Sequence, residues 1–279
     1  MAEKPRKKHY PSESIVKSTP AADHPAVIIN ADDFGLDLEY NQLTLRAFQT
    51  GMISSATIMA NMPAFENACQ LTHEHYLHGR IGLHFNLTYG QPLSVAILSQ
   101  ALFCNSAGEF DLNLRRSALS LPASASAAVL GELQAQWQRC IEQGLQPSHI
   151  DSHQHVHNLL PIATIVARFA AQKKVPVRLA RNVGGNIGPL KRLFKTLLNR
   201  RIAGLCGITV QTVCTPRDLH QGFRPEGTLE VVAHPTQLNN GDFGDDYLPE
   251  GHSLSALLKE TLTAHQKMSY SDLARKLSH

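Results

Sequence analysis

Apolar positions along this chain fall into short β-branched runs that alternate with helical repeats. Ala26-Val27-Ile28-Ile29 predicts a buried strand that ends abruptly in the polar segment Asn30-Ala31-Asp32-Asp33-Phe34-Gly35. Residues 38–50 then carry Leu43, Ala47 and Phe48 on one side of a helix, with Gly51 as its stop. A strand over Ile53 to Ala60, a helix over about 63–75 and a strand over Arg80 to Leu87 follow. Residues 88–122 are rich in turn formers and predict a long loop, after which Ser124 or Ser126 caps a helix running to Glu142 and stopping at Gly144. Further strands are expected at Ser148 to His153, Val175 to Arg181 and Glu230 to Ala233. Helices are expected at 159–173, 189–203 and Ser253 to Lys267. The basic stripe on 189–203 reads as a solvated face.

Repeated strand–helix alternation implies an α/β fold, a parallel sheet with helical crossovers in a single domain over 25–279. An open doubly wound sheet and a distorted (β/α) TIM-like barrel both satisfy the pattern. Polar groups at the ends of many strands favour the barrel: Asp32, Asp33, Asn61, His84, Asn86, Asp151, His153, Arg181 and His234. A barrel gathers all strand C-termini on one face, whereas an open sheet strings them along an edge.

Composition narrows the function. The 279 residues are 43% hydrophobic and 18% charged, enough for a sizeable core, and no stretch is apolar for long enough to span a membrane. Of the net charge of +3, two units fall in residues 1–24, where five basic residues face three acidic ones. That segment reads as a flexible basic tail, and the near-neutral remainder argues against a nucleic-acid surface. Five scattered cysteines without a CxxC pair, and no apolar run after the basic start, fit a cytoplasmic protein. There is no glycine-rich phosphate loop and no Gly-x-Ser-x-Gly elbow.

The 15 histidines carry the chemistry. In Asp151-Ser152-His153-Gln154-His155-Val156-His157, period-two spacing would align Asp151, His153, His155 and His157 if the strand continued. Imidazoles so close suit a metal site or a proton-transfer cluster, with spare rings as supporting donors. Adjacent carboxylates Asp32 and Asp33 at a strand end are costly to bury without a cation or donors. His84 and Asn86 share one face of their strand. Arg178 and Arg181 are placed to hold an oxyanion or to pair with Asp32, and His234 ends a late strand. Together these groups form the apparatus of metal-assisted hydrolysis. A metal-dependent phosphoesterase and a non-catalytic sugar-binding protein remain as alternatives.

Three motifs, Asn30 to Gly35, Gly82-Leu83-His84-Phe85-Asn86-Leu87-Thr88 and Asp151 to His157, occur in order with Ala233-His234-Pro235. They resemble the YdjC-like (ChbG/HpnK) carbohydrate deacetylase family. The resemblance implies a distorted barrel that removes N-acetyl groups from amino sugars with one divalent ion, magnesium or zinc. It further implies Asp33, His84 and His153 as metal ligands, Asp32 as general base and His234 as acid. Asn86, Asp151, His155, His157 and Arg181 are then expected to bind substrate or support the site. A small carbohydrate is the expected partner, and a homodimer is a reasonable expectation for the oligomeric state. Tyr89, Phe110 and Trp137 are candidates for stacking on a sugar.

Overall fold

A computed structural model describes residues 25–207, 210 and 212–277, so the expected basic tail over 1–24 lies outside the described residues. Strands are β1 (Ala26–Phe34), β2 (Ser55–Ile58), β3 (Ile81–Phe85), β4 (Ile150–Ser152), β5 (Thr212–Cys214), β6 (Leu229–Ala233), β7 (Pro235–Gln237), β8 (Phe243–Asp245) and β9 (Gln266–Lys267). Helices are α1 (Leu38–Gln49), α2 (Phe65–Glu74), α3 (Val95–Leu98), α4 (Ala123–Glu142), α5 (Leu160–Lys173), α6 (Pro189–Cys206), α7 (Pro216–His220), α8 (Leu254–Thr261) and α9 (Tyr270–Leu277).

The main sheet is parallel, in the order β4-β3-β2-β1-β6-β5, with β9 alongside the start of β1. Ile150 forms a single bridge to Val177, which extends the sheet past β4. Among the described residues no ladder links Val177 to β5, so the strands make a half-barrel rather than a closed ring. The distorted barrel expected from the alternation is therefore present, with one correction. Val175–Arg181 is not a full strand, because only Val177 pairs.

Alternation along the strands explains the layering. Val27, Ile29 and Ala31 of β1 join the apolar layer beneath the helices, together with Ala56, Ile58, Ile81, Leu83, Leu229 and Val231. Each fully buried Ile, Leu or Phe there contributes about 1.5–3 kcal/mol. The alternate positions, Asn30, Asp32, Thr57, His84, Asp151 and Glu230, are equally buried but polar, and they are tied together across the barrel interior by hydrogen bonds and ion pairs. The interior is thus a hydrogen-bonded core, and the apolar core lies outside it.

Connections depart from expectation in informative ways. The 88–122 segment contains α3 and a Cys104–Phe110 bridge, and α4 holds its start in place. Glu132 accepts the N–H groups of Leu93 and Ser94, while Gln136 bonds both backbone groups of Asn86. No side chain caps α4; its first turn follows Pro122. The last expected helix stops at Thr261, and the chain then adds β9 and α9. Tyr270 of α9 enters the barrel floor, donating its hydroxyl to Glu230 and stacking on His149 with ring centroids 3.8 Å apart. Ile28, Val210 and Leu273 pack around it. Gly82 leaves room for this stack, since a Cβ there would collide with the His149 ring.

Candidate active site

In a regular strand, Asp32 and Asp33 would point to opposite faces. Here both reach the same site, because Asp33 adopts φ +63° and the β1–β2 register shifts between Ala31 and Phe34. A left-handed backbone at a non-glycine residue costs roughly 1–2 kcal/mol. Within β1 that strain falls on the residue whose carboxylate must turn. Asn41 steadies the following turn by accepting the Gly35 N–H at 2.7 Å.

The turned carboxylate meets two imidazoles. Asp33 Oδ1 lies 3.0 Å from His84 Nε2 and 2.8 Å from His153 Nδ1. One ligand atom from each residue falls within 4.8 Å of the others, so the group can hold a metal ion. With bonds of about 2.1 Å, neighbouring ligand atoms stand ~3.0 Å apart at right angles and ~3.4 Å apart at the tetrahedral angle, so the donor set fits. The other ring nitrogen of His84, Nδ1, is 2.7 Å from Asp151 Oδ1, which leaves Nε2 aimed at Asp33. Burial disfavours a charge on His84, but the Asp151 and Asp33 carboxylates outweigh it and raise its pKa to about 10. His84 Nε2 and Asp33 Oδ1 thus face each other across the position that an ion would take.

A second trio, Asp32, His84 and Asp151, is close enough to ligate but is already committed. Arg178, 1% exposed, grips both Asp32 oxygens at 2.6 and 2.7 Å, Asp151 Oδ2 at 2.7 Å and Glu230 Oε1 at 2.7 Å. Thr57 donates to Asp151 at 2.9 Å, and Asn30 donates to Asp32 at 2.9 Å. Burial would raise the Asp32 pKa, yet the Arg178 guanidinium holds it well below the usual carboxylate range. Asp33 is likewise held low, burial being overcome by hydrogen bonds from His153 and His84. Burial lifts Glu230 to about 7, against the pull of Arg178. Arg178 serves three carboxylates, Asp32, Asp151 and Glu230, while Asp33 meets only the His84 and His153 rings, so acidic groups outnumber their cationic partners and leave an excess of negative charge. A divalent cation beside Asp33 would answer that excess.

The remaining sequence candidates separate. His234 Nε2 faces the pair, 3.9 Å from Asp32 Oδ2 and 3.8 Å from Asp33 Oδ2. Asp245 accepts the His234 backbone N–H at 2.7 Å, and the Tyr247 ring crosses the imidazole edge-on at 5.1 Å. His155 and His157 do not line up with His153. The strand ends at Ser152, and Gln154 and His155 turn left-handed at φ 47° and 56°. His157 is sealed against the Ser152 hydroxyl. Burial and the Arg178 charge push His155 down to about 3, so it stays neutral. Asn86 reaches no ligand; it binds Asn61 and the Tyr89 carbonyl, fixing the loop that carries Tyr89 to 6.4 Å from the His153 ring. Arg181 pairs with Asp218, away from the carboxylates. Phe110 and Trp137 are core residues, 6% and 7% exposed, while Tyr89 is 53% exposed. Glu230, Thr57, Asn30 and Tyr270 are not among the expected site residues; Asn30 opens the first motif, Thr57 and Glu230 are signalled by alternating polar positions on β2 and β6, and nothing in the sequence marks Tyr270 on α9.

Asp33, His153 and His234 are the members of the cluster that open to solvent. Asp33 and His234 border a cavity of about 670 Å³ that also meets Tyr40, Arg46 and Asp246, within the size range of small-molecule pockets. A smaller one of about 220 Å³ lies between Arg178, His155, Arg181 and Lys195.

Strand-end carboxylates and imidazoles on a parallel half-barrel define a hydrolase-type site, and comparison with known proteins agrees. The model of the YdjC-like protein family matches residues 26–268, and the chain belongs to that family. It is 32% identical over 215 residues to a carbohydrate deacetylase of Halalkalibacterium halodurans, covering 76% of this chain and 86% of that one. It is 34% identical over 218 residues to a chitooligosaccharide deacetylase of Salmonella paratyphi B, covering 77% and 82%. Among solved structures, an Enterococcus faecalis protein provisionally described as a cellobiose-phosphate cleavage protein shares the fold. Its TM-score is 0.63 at 22% identity, over 90% of this chain and 99% of that one.

Proposed function

We propose that this protein is a metal-dependent carbohydrate deacetylase that hydrolyses the N-acetyl group of an amino sugar. The observation that carries the reading is the convergence of His84 and His153 on the left-handed Asp33, beside a separate carboxylate, Asp32, that Arg178 holds by both oxygens. Curated relatives named as deacetylases across most of the chain support it.

Asp33, His84 and His153 would hold one divalent ion, magnesium or zinc. When bound, such an ion supplies a water of lowered pKa and polarises the acetamide carbonyl. Asp151 fixes the His84 tautomer so that Nε2 faces the ion. Asp32 acts as the base that accepts the water proton through Oδ2, the oxygen nearer His234. Arg178 orients that carboxylate and keeps it ionised, at some cost in basicity. His234 donates the proton that lets the sugar nitrogen leave as an amine, and acetate is the other product. Asn86 places Tyr89 where its ring can stack on a sugar. The commitment of the second trio to Arg178 favours a single ion, against a two-metal phosphoesterase.

The test is acetate release from N-acetylglucosamine oligomers after chelation and metal re-addition. Activity should vanish and return; chelator-insensitive turnover would sink the reading. Asp32→Asn should keep metal and lose about 10²–10⁴ in kcat, and a fully active Asp32→Asn would assign the base elsewhere.

A further inference from the structure

Helix α6 exposes what a surface helix ordinarily hides. Leu190, Leu193, Phe194 and Leu197 are 82%, 57%, 41% and 53% exposed. Their spacing, i, i+3, i+4 and i+7, places all four on one stripe. Leu198, Asn199 and Ile202 face the protein instead, so the helix has two apolar faces and only one is covered. A contiguous exposed stripe of this kind marks a contact surface.

The charges on α6 are all of one sign. Lys191, Arg200 and Arg201 border the stripe, Arg192 lies further round the helix, and the segment Pro189–Cys206 contains no Asp or Glu. Arg192 donates to the Gly184 carbonyl and Arg201 to the Thr164 hydroxyl. Among the described residues none of the four is in an ion pair with a carboxylate. A second copy meeting this face across a two-fold axis would bring like charges together. Residues 1–24 carry a net positive charge as well, the wrong sign to cover it. An apolar stripe bordered by cations matches a lipid surface bearing negative headgroups.

We propose that α6 is an interfacial helix that seats the protein on an anionic membrane. Its Leu190, Leu193, Phe194 and Leu197 side chains enter the headgroup boundary while the flanking cations meet the headgroup charge. The helix lies in the interface and does not span it; no helix among the described residues is long and apolar enough to cross. Its position gives the contact a use. Lys195 of α6 donates to the Arg181 carbonyl at 2.6 Å and lines the smaller cavity with Arg178, the residue that grips Asp32. A membrane-seated α6 therefore rests on the bilayer by one side and walls this cavity by the other, and the surface claim does not rest on the deacetylase reading.

Vesicle flotation tests the proposal, comparing phosphatidylcholine vesicles with vesicles that also contain phosphatidylglycerol. The full chain should float with the anionic vesicles, be released by high salt, and stay in solution with phosphatidylcholine alone. The double variant Leu193→Glu/Phe194→Glu should bind at least roughly tenfold more weakly with an unchanged melting temperature. A variant with Lys4, Arg6, Lys7 and Lys8 changed to Gln should still float. The proposal is overturned if the wild type never floats, if the double variant floats equally well, or if the 4–8 changes alone abolish flotation. Sedimentation showing a dimer that the double variant abolishes, without vesicle binding, would assign the face to self-association instead.

Discussion

Replacing Arg178 with Met keeps much of its length but removes the only guanidinium among three buried carboxylates. Four contacts of 2.6–2.7 Å are lost at once, to Asp32, Asp151 and Glu230. Breaking a buried pair from one side costs about 3–5 kcal/mol. The cheapest relief is for one orphaned carboxyl to bind a proton. That costs ~1.4 kcal/mol for each pH unit above its unfolded pKa of about 4, so about 4 kcal/mol at pH 7 and ~1.5 at pH 5. The orphaned carboxyl has a folded pKa above its unfolded value, so the deficit grows as pH rises. Denaturant titrations of wild type and Arg178→Met, followed by far-ultraviolet circular dichroism at pH 5 and pH 7, measure it directly. The expected loss at pH 7 corresponds to a fall of roughly 8–16 °C in melting temperature. A loss below about 1 kcal/mol at pH 7, or one equal at both pH values, would refute the view that Arg178 neutralises the interior.

Other outcomes follow from the same geometry. Asp33→Ala and His153→Ala should each abolish tight binding of zinc or magnesium in calorimetry, since each removes one of three converging donors; unchanged affinity would move the metal elsewhere. Because Glu230 ionises near pH 7 in the folded chain against an ordinary 4.5, the wild type should lose stability as pH rises between those values. Glu230→Gln should lack that falling limb, and a parallel pH profile would exclude Glu230 as its source. Gly82→Ala should destabilise by about 1–3 kcal/mol in thermal melts, because the new methyl must displace the His149 ring from Tyr270.

Much of the fold was legible because its strands are short and β-branched and its helices end at glycines such as Gly51 and Gly144. The failures have physical causes. Val175–Arg181 has strand composition, yet Val177 alone finds a neighbour, since the half-barrel offers no further partner among the described residues. At the site, Asp33, His84 and His153 could be named from their motifs, and they do converge. The expected line of histidines fails because Gln154 and His155 turn left-handed, a conformation that non-glycine residues do not advertise. Glu230 was hidden for a different reason: one carboxylate before Val231-Val232-Ala233 reads as a strand edge, and only the position of Arg178 makes it part of the interior. On 189–203 the sequence draws attention to the lysines and arginines, whose stripe reads as a solvated face, whereas exposure also reveals the apolar stripe on α6.

Tyr270 has a consequence for the order in which the protein becomes complete. It follows every proposed ligand and acid–base residue in the chain, yet its hydroxyl satisfies Glu230 and its ring covers His149. A nascent polypeptide that has emerged only through His234 has all the chemical groups but an open floor, with Glu230 facing water from below. The site can therefore reach its final electrostatic state only after about forty more residues leave the ribosome, at a translation rate of ~5–20 residues per second. Docking of α9 is therefore the step that closes the floor beneath Glu230 and His149.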